Sequence, residues 1–122
     1  MDNKYGYCFD CENATGGKCE CADTTMDALL DYAEFTHVTA VYPTSAALWY
    51  VLGQMVVEAG EALQHVNKNY RNPDKYPIDK EELVLELGDV MYYWTRACIE
   101  LGVSPHEVLA ANVAKLKNRY NK

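Results

Sequence analysis

Long apolar runs are missing from this sequence. None reaches the roughly 18 residues that a membrane span needs, so no membrane partner is expected. Basic residues are scarce. The 122 residues carry 11 Lys plus Arg against 18 Asp plus Glu, a net charge of −7. That balance argues against a chain that coats DNA or RNA with a basic face, and against a polybasic membrane binder. The opening Met1-Asp2-Asn3-Lys4-Tyr5 lacks the hydrophobic segment of a secretory signal. Strand-like alternation, internal repeats of convincing length and low-complexity tracts are absent as well. What is present is 49% hydrophobic, with ten tyrosines, which a disordered chain would not carry. The length suits one ordinary domain. The expectation is a soluble, cytoplasmic protein.

Composition shifts once along the chain. Residues 1–23 hold four of the five cysteines, the Gly16-Gly17 pair and almost no aliphatic side chains. Residues 24–122 follow helical periodicity throughout, and the expected class is all-α with four helices. The first spans about Thr25 to Val41 and stops before Pro43. The second starts near Thr44 or Ser45, both good N-caps, and reaches about Tyr70. Residues 71–77, with two prolines, form a loop. Asp79 opens the third helix, and Glu82 three residues later completes a capping-box pattern. Gly102 ends that helix. Ser104, Pro105 and Glu107 start the fourth, which runs to about Tyr120.

The second and third helices invert the usual proportions of an amphipathic helix. On a wheel of roughly 100° per residue, Leu48, Leu52, Met55, Ala59, Ala62, Leu63 and Val66 share one apolar face of the second. Trp49, Gly53, Val56, Val57 and Gly60 fill most of the rest. One narrow polar stripe is left: Gln54, Glu58, Glu61 and His65. The third helix has a similar stripe of Glu82, Glu86, Asp89, Tyr93, Arg96 and Glu100, set among Leu83, Val84, Leu85, Leu87, Val90, Met91, Trp94, Cys98, Ile99 and Leu101. The pattern predicts helices that are mostly buried, each with a thin line of carboxylates. Residues three apart share a helix face, so Glu58 pairs with Glu61 and Glu86 with Asp89. Buried carboxylates cost several kcal/mol per ion unless something offsets them. A hard divalent cation, Mg²⁺ or Mn²⁺, would do so. A single such pair on a solvated helix would mean little. Two pairs on apolar helices make a metal site the better reading.

The fourth helix sets Asn112, Lys115 and Arg119 beside an apolar face of Leu109, Val113, Leu116 and Tyr120. Cations next to a carboxylate–metal centre suit a polyphosphate. A plain solvated face with cations favoured by the helix dipole is the competing reading.

These residues resemble a known family. Glu58-Ala-Gly-Glu61, 24 residues, then Glu86-Leu-Gly-Asp89 fits the ExxE…ExxD signature of the all-α nucleotide pyrophosphohydrolases. The surrounding stretches 86–93, 101–104 and 112–120, with Tyr42-Pro43, resemble the MazG-like branch. The resemblance covers about residues 27–121. It implies a four-helix bundle-like subunit that cleaves a nucleoside triphosphate to monophosphate and pyrophosphate. Glu58, Glu61, Glu86 and Asp89 would take the metal-ligand positions for Mg²⁺. Tyr93, Asn112 and Lys115 would take substrate-binding positions. It also implies a homodimer or homotetramer. Helices apolar on two sides are independently hard to bury within about 100 residues, and a partner copy is the simplest remedy. Bound metal would lower the pKa of a water for in-line attack, with Glu61 or Glu58 accepting its proton.

The resemblance does not extend to the cysteine segment. Cys8-Phe-Asp-Cys11 has the spacing of half a zinc knuckle, and Cys19-Glu-Cys21 is tighter. Zinc held by four thiolates would give this segment a reason to order. Disulfides and a reduced tail are the other readings. His65 reads as a polar neighbour of the stripe more readily than as a ligand, and Cys98 as a core residue. His37 is a weak candidate to face the nucleotide. His106 reads as surface, and Trp49 and Trp94 as core or subunit contacts. Two other functions fit less well. A di-iron carboxylate bundle requires ExxH on two helices, and His65 is one place out of register. A non-catalytic helical interaction module would show no metal-dependent turnover.

Overall fold

The computed structural model describes the backbone of residues 20–120 and the side chains of residues 28–120. Cys8, Cys11 and Cys19 lie outside the described residues, as does the side chain of Cys21, and so does the zinc expectation. Among the described residues four α-helices follow one another: α1 Glu20–Thr39, α2 Ala47–Arg71, α3 Lys80–Leu101 and α4 Pro105–Tyr120. A short 3₁₀ turn, Thr44–Ala46, precedes α2. No strand occurs among the described residues, so the all-α expectation holds. No described helix is long and apolar enough to cross a membrane.

The helix boundaries have local causes. Asp79 Oδ1 accepts hydrogen bonds from the Glu81 and Glu82 N–H groups at 3.0 and 3.2 Å. Those donors would otherwise be orphaned at the start of α3. Gly102 ends α3 with φ +74°, a left-handed conformation in which a Cβ would be strained. Its N–H donates to the Ile99 carbonyl, and the Val103 N–H to the Cys98 carbonyl. Pro105 is the first residue of α4, where its missing N–H costs nothing. Two expectations shift. The first helix starts earlier than residue 25 and stops at Thr39, where the Thr39 hydroxyl folds back onto the Phe35 and Thr36 carbonyls. Thr44 and Ser45 do not cap α2. They belong to the 3₁₀ turn, and α2 starts at Ala47 without a side-chain cap.

Two compact units form. Residues 40–104 make one, in which α2 and α3 pack as an antiparallel hairpin. In the other, α1 packs with α4. Within the hairpin unit Val51, Thr95, Arg96, Ala97 and Cys98 are buried. Cys98 is a core residue as expected, and burial pushes its thiol pKa up.

The inverted helices resolve in an unexpected sense. Part of each polar stripe lies at the α2–α3 contact, with Gln54, Glu58, His65, Glu86 and Tyr93 half-buried while Glu61, Glu82, Asp89 and Glu100 stay exposed, and much of the apolar surface faces outward. On α2, Trp49 is 85% exposed and Val56 70%, with Leu52, Leu63, Val66 and Tyr70 also exposed. Helices mostly buried within one chain are therefore not what forms. A two-helix hairpin covers one face of each helix, and here that face mixes polar Glu58, His65 and Glu86 with apolar Val51, Met55, Leu83 and Ala97.

Candidate metal centre

Helical spacing brings the carboxylates together across the seam. Oxygens of Glu58 on α2 and of Glu86 and Asp89 on α3 all lie within 4.8 Å of one another. A second group, His65, Glu82 and Glu86, meets the same limit. Glu86 belongs to both. Its Oε1 lies 3.4 Å from His65 Nε2. Its Oε2 is buried without a hydrogen-bond partner, and its side chain is only 16% exposed. A buried carboxylate oxygen left unsatisfied is costly. A divalent cation would satisfy it, and three converging oxygens are a donor set suited to Mg²⁺ or Mn²⁺. The residues present fit the ion.

The fourth predicted ligand stands apart. Glu61 is exposed and joins neither group. Its influence is on Glu58. The Glu58 pKa is raised first by desolvation, then by the negative charges of Glu61 and Asp89, a hydrogen bond to Glu61 and the charge of Glu86.

That shift has a stability consequence. A carboxyl whose pKa is raised by folding stabilises the fold when protonated. The contribution is complete at pH below the ordinary 4.5 and is lost as pH rises through the higher folded value. Without divalent cations, thermal melts should therefore show stability falling as pH climbs above that point. Glu58→Gln should flatten the fall and raise the melting midpoint at neutral pH. An unchanged slope in the variant would contradict the clustering.

Tyr93 lies beside the triad. Burial raises its pKa first, and its hydroxyl neighbours Gln54, Tyr50 and Glu58. It stays protonated at neutral pH and keeps a proton to donate. Asn112 and Lys115 belong to the α1–α4 unit, where both are exposed. His37 is exposed, whereas His106 is half-buried with an unsatisfied Nε2 rather than on the surface.

The sequence reading missed a brace at the far end of the seam. Arg96 Nε donates to the Tyr42 hydroxyl at 3.0 Å, and that hydroxyl donates to Glu100 Oε1. Arg96 also pairs with Glu100 at 3.5 Å. Tyr42 stacks on Tyr50, whose ring meets Tyr93 edge-on at 6.3 Å. The tyrosine richness of the chain was the available signal, but periodicity could not join position 42 to position 96.

The Gene 37 protein of Mycobacterium phage L5 is 35% identical over 89 residues, which span 66% of this chain and 78% of that protein. The chain belongs to the family of that phage protein. No protein-family model matches it, and no solved structure does. The designation of the phage relative states no reaction, so the chemistry rests on the residues.

Proposed function

We propose that the chain is a metal-dependent nucleoside triphosphate pyrophosphohydrolase of the MazG-like all-α type. The observation that carries this reading is the convergence of Glu58, Glu86 and Asp89, with the buried Oε2 of Glu86 left without a hydrogen-bond partner. These three residues would hold Mg²⁺ or Mn²⁺, which when bound neutralises phosphate charge and acidifies a water. Glu61 stands outside the converging set next to Glu58 and would take the proton of that water. The water oxygen forms a bond to a phosphorus flanking the α–β bridge. The bridging P–O bond breaks, its electron pair leaves with the departing phosphate oxygen, and monophosphate and pyrophosphate result. Tyr93 would donate its hydroxyl proton to a phosphate oxygen.

The working form in this proposal is a homo-oligomer. Trp49, Leu52, Val56, Leu63, Val66 and Tyr70 make one exposed apolar stripe along α2. A contiguous apolar face of this kind marks an interaction surface, and a second copy of the chain is the simplest cover.

The decisive assay is pyrophosphate release from the canonical and several damaged triphosphates with Mg²⁺ present. Turnover of at least one, abolished by chelator, is expected. Silence across the panel would remove the reading.

A further inference from the structure

Beyond the carboxylate seam, where the turn from α2 leads into α3, His65, Lys68, Lys75, Tyr76, Pro77 and Asp79 line a pocket of about 340 Å³. That volume lies within the range of small-ligand sites. Its loop wall is fixed from several sides. Asn69 Nδ2 donates to the Tyr76 carbonyl at 2.8 Å. The Tyr76 N–H donates to the Asn72 carbonyl at 2.9 Å, and the Lys75 N–H to Asn72 Oδ1 at 3.2 Å. A wall held in advance costs little to order on binding.

Two cations converge on it. Lys75 Nζ lies 5.3 Å and Lys68 Nζ 6.0 Å from the Tyr76 ring centroid. The ring quadrupole draws both ammonium groups to one place. Neither is in an ion pair among the described residues. The acid in the lining, Asp79, has its Oδ1 committed to the first N–H groups of α3, so its charge is offset by the helix terminus. In a chain with a net charge of −7, two unneutralised lysines at one pocket are an invitation to a multiply charged anion.

Position narrows the anion. His65 is both a wall of the pocket and the partner of Glu86, so pocket and seam are contiguous. Lys68 lies seven residues beyond Glu61, about 10 Å along the axis. We propose that the pocket holds the terminal phosphates of the triphosphate and retains pyrophosphate after cleavage, with Lys68 and Lys75 as the ammonium donors. This rests on the pyrophosphohydrolase reading. The lysines would meet the charge that departs, while the carboxylates serve the reacting centre.

The test is calorimetric titration of inorganic pyrophosphate into the full chain with Mg²⁺ present. The parent chain should bind, and Lys68→Gln/Lys75→Gln should bind at least tenfold more weakly. Lys117→Gln, a charge change outside the pocket, should leave binding unaltered. In turnover, the double variant should raise KM more than it lowers kcat. Equal binding by the parent chain and the double variant would overturn the proposal, as would no binding by the parent chain. Orthophosphate matching pyrophosphate in affinity would overturn the diphosphate assignment. A chain that binds pyrophosphate through these lysines but turns over no triphosphate would instead overturn the enzymatic reading and leave the anion pocket standing.

Discussion

Replacing Glu86 by Gln should cut pyrophosphate release at least about a hundredfold, while the helical circular dichroism stays that of the parent chain. Glu86 is the residue common to both acidic groups, and its Oε2 is the buried atom without a partner. The amide keeps the shape and removes the charge that a cation needs. Asp89→Asn should behave alike, because Asp89 shares the triad. Glu61→Gln should also abolish turnover, but by a different route. Glu61 lies outside the converging oxygens, so its variant should keep metal affinity and lose the acceptor for the water proton. Metal titration of the variants separates the two cases. Undiminished turnover in both Glu86→Gln and Asp89→Asn would refute the site.

The second large effect concerns assembly. Val56→Lys combined with Leu63→Lys should convert an oligomer at micromolar concentration into single chains, as read by light scattering. The two side chains are exposed and lie on the same stripe of α2, so the hairpin itself has little reason to suffer. Buried in an interface, two ammonium groups would weaken association by at least about a hundredfold, near 2.7 kcal/mol. A parent chain that runs as a monomer would contradict the assembly directly.

Much of the hairpin was legible because its ends are marked by residue chemistry. Asp79 reads as a cap and is one. Gly102 reads as a stop and adopts the left-handed turn. The carboxylate stripes were legible because a 3.6-residue period sorts faces. Periodicity does not say which face meets a neighbour. An apolar surround suggested burial of both helices, and instead a mixed face that carries part of each polar stripe forms the contact. Glu61 shows the finer limit. Three residues after Glu58 it sits about 60° around the helix, enough to turn its carboxylate out of the converging set. The Tyr42–Arg96 contact joins residues 54 apart in sequence, and no local pattern encodes it. Lys68 and Lys75 gained meaning only when the turn brought them over one ring.

The hairpin is fastened at both ends, by Asn69 on the Tyr76 carbonyl and by Tyr42 with Arg96 and Glu100. Ties that hold the turn to α2, and the approach to α2 to α3, limit how far the two helices spread or close between them. In the proposed metal site the gap would then act as a gauge for ionic radius, and larger cations such as Ca²⁺ would be disfavoured by the frame rather than by the carboxylates they touch.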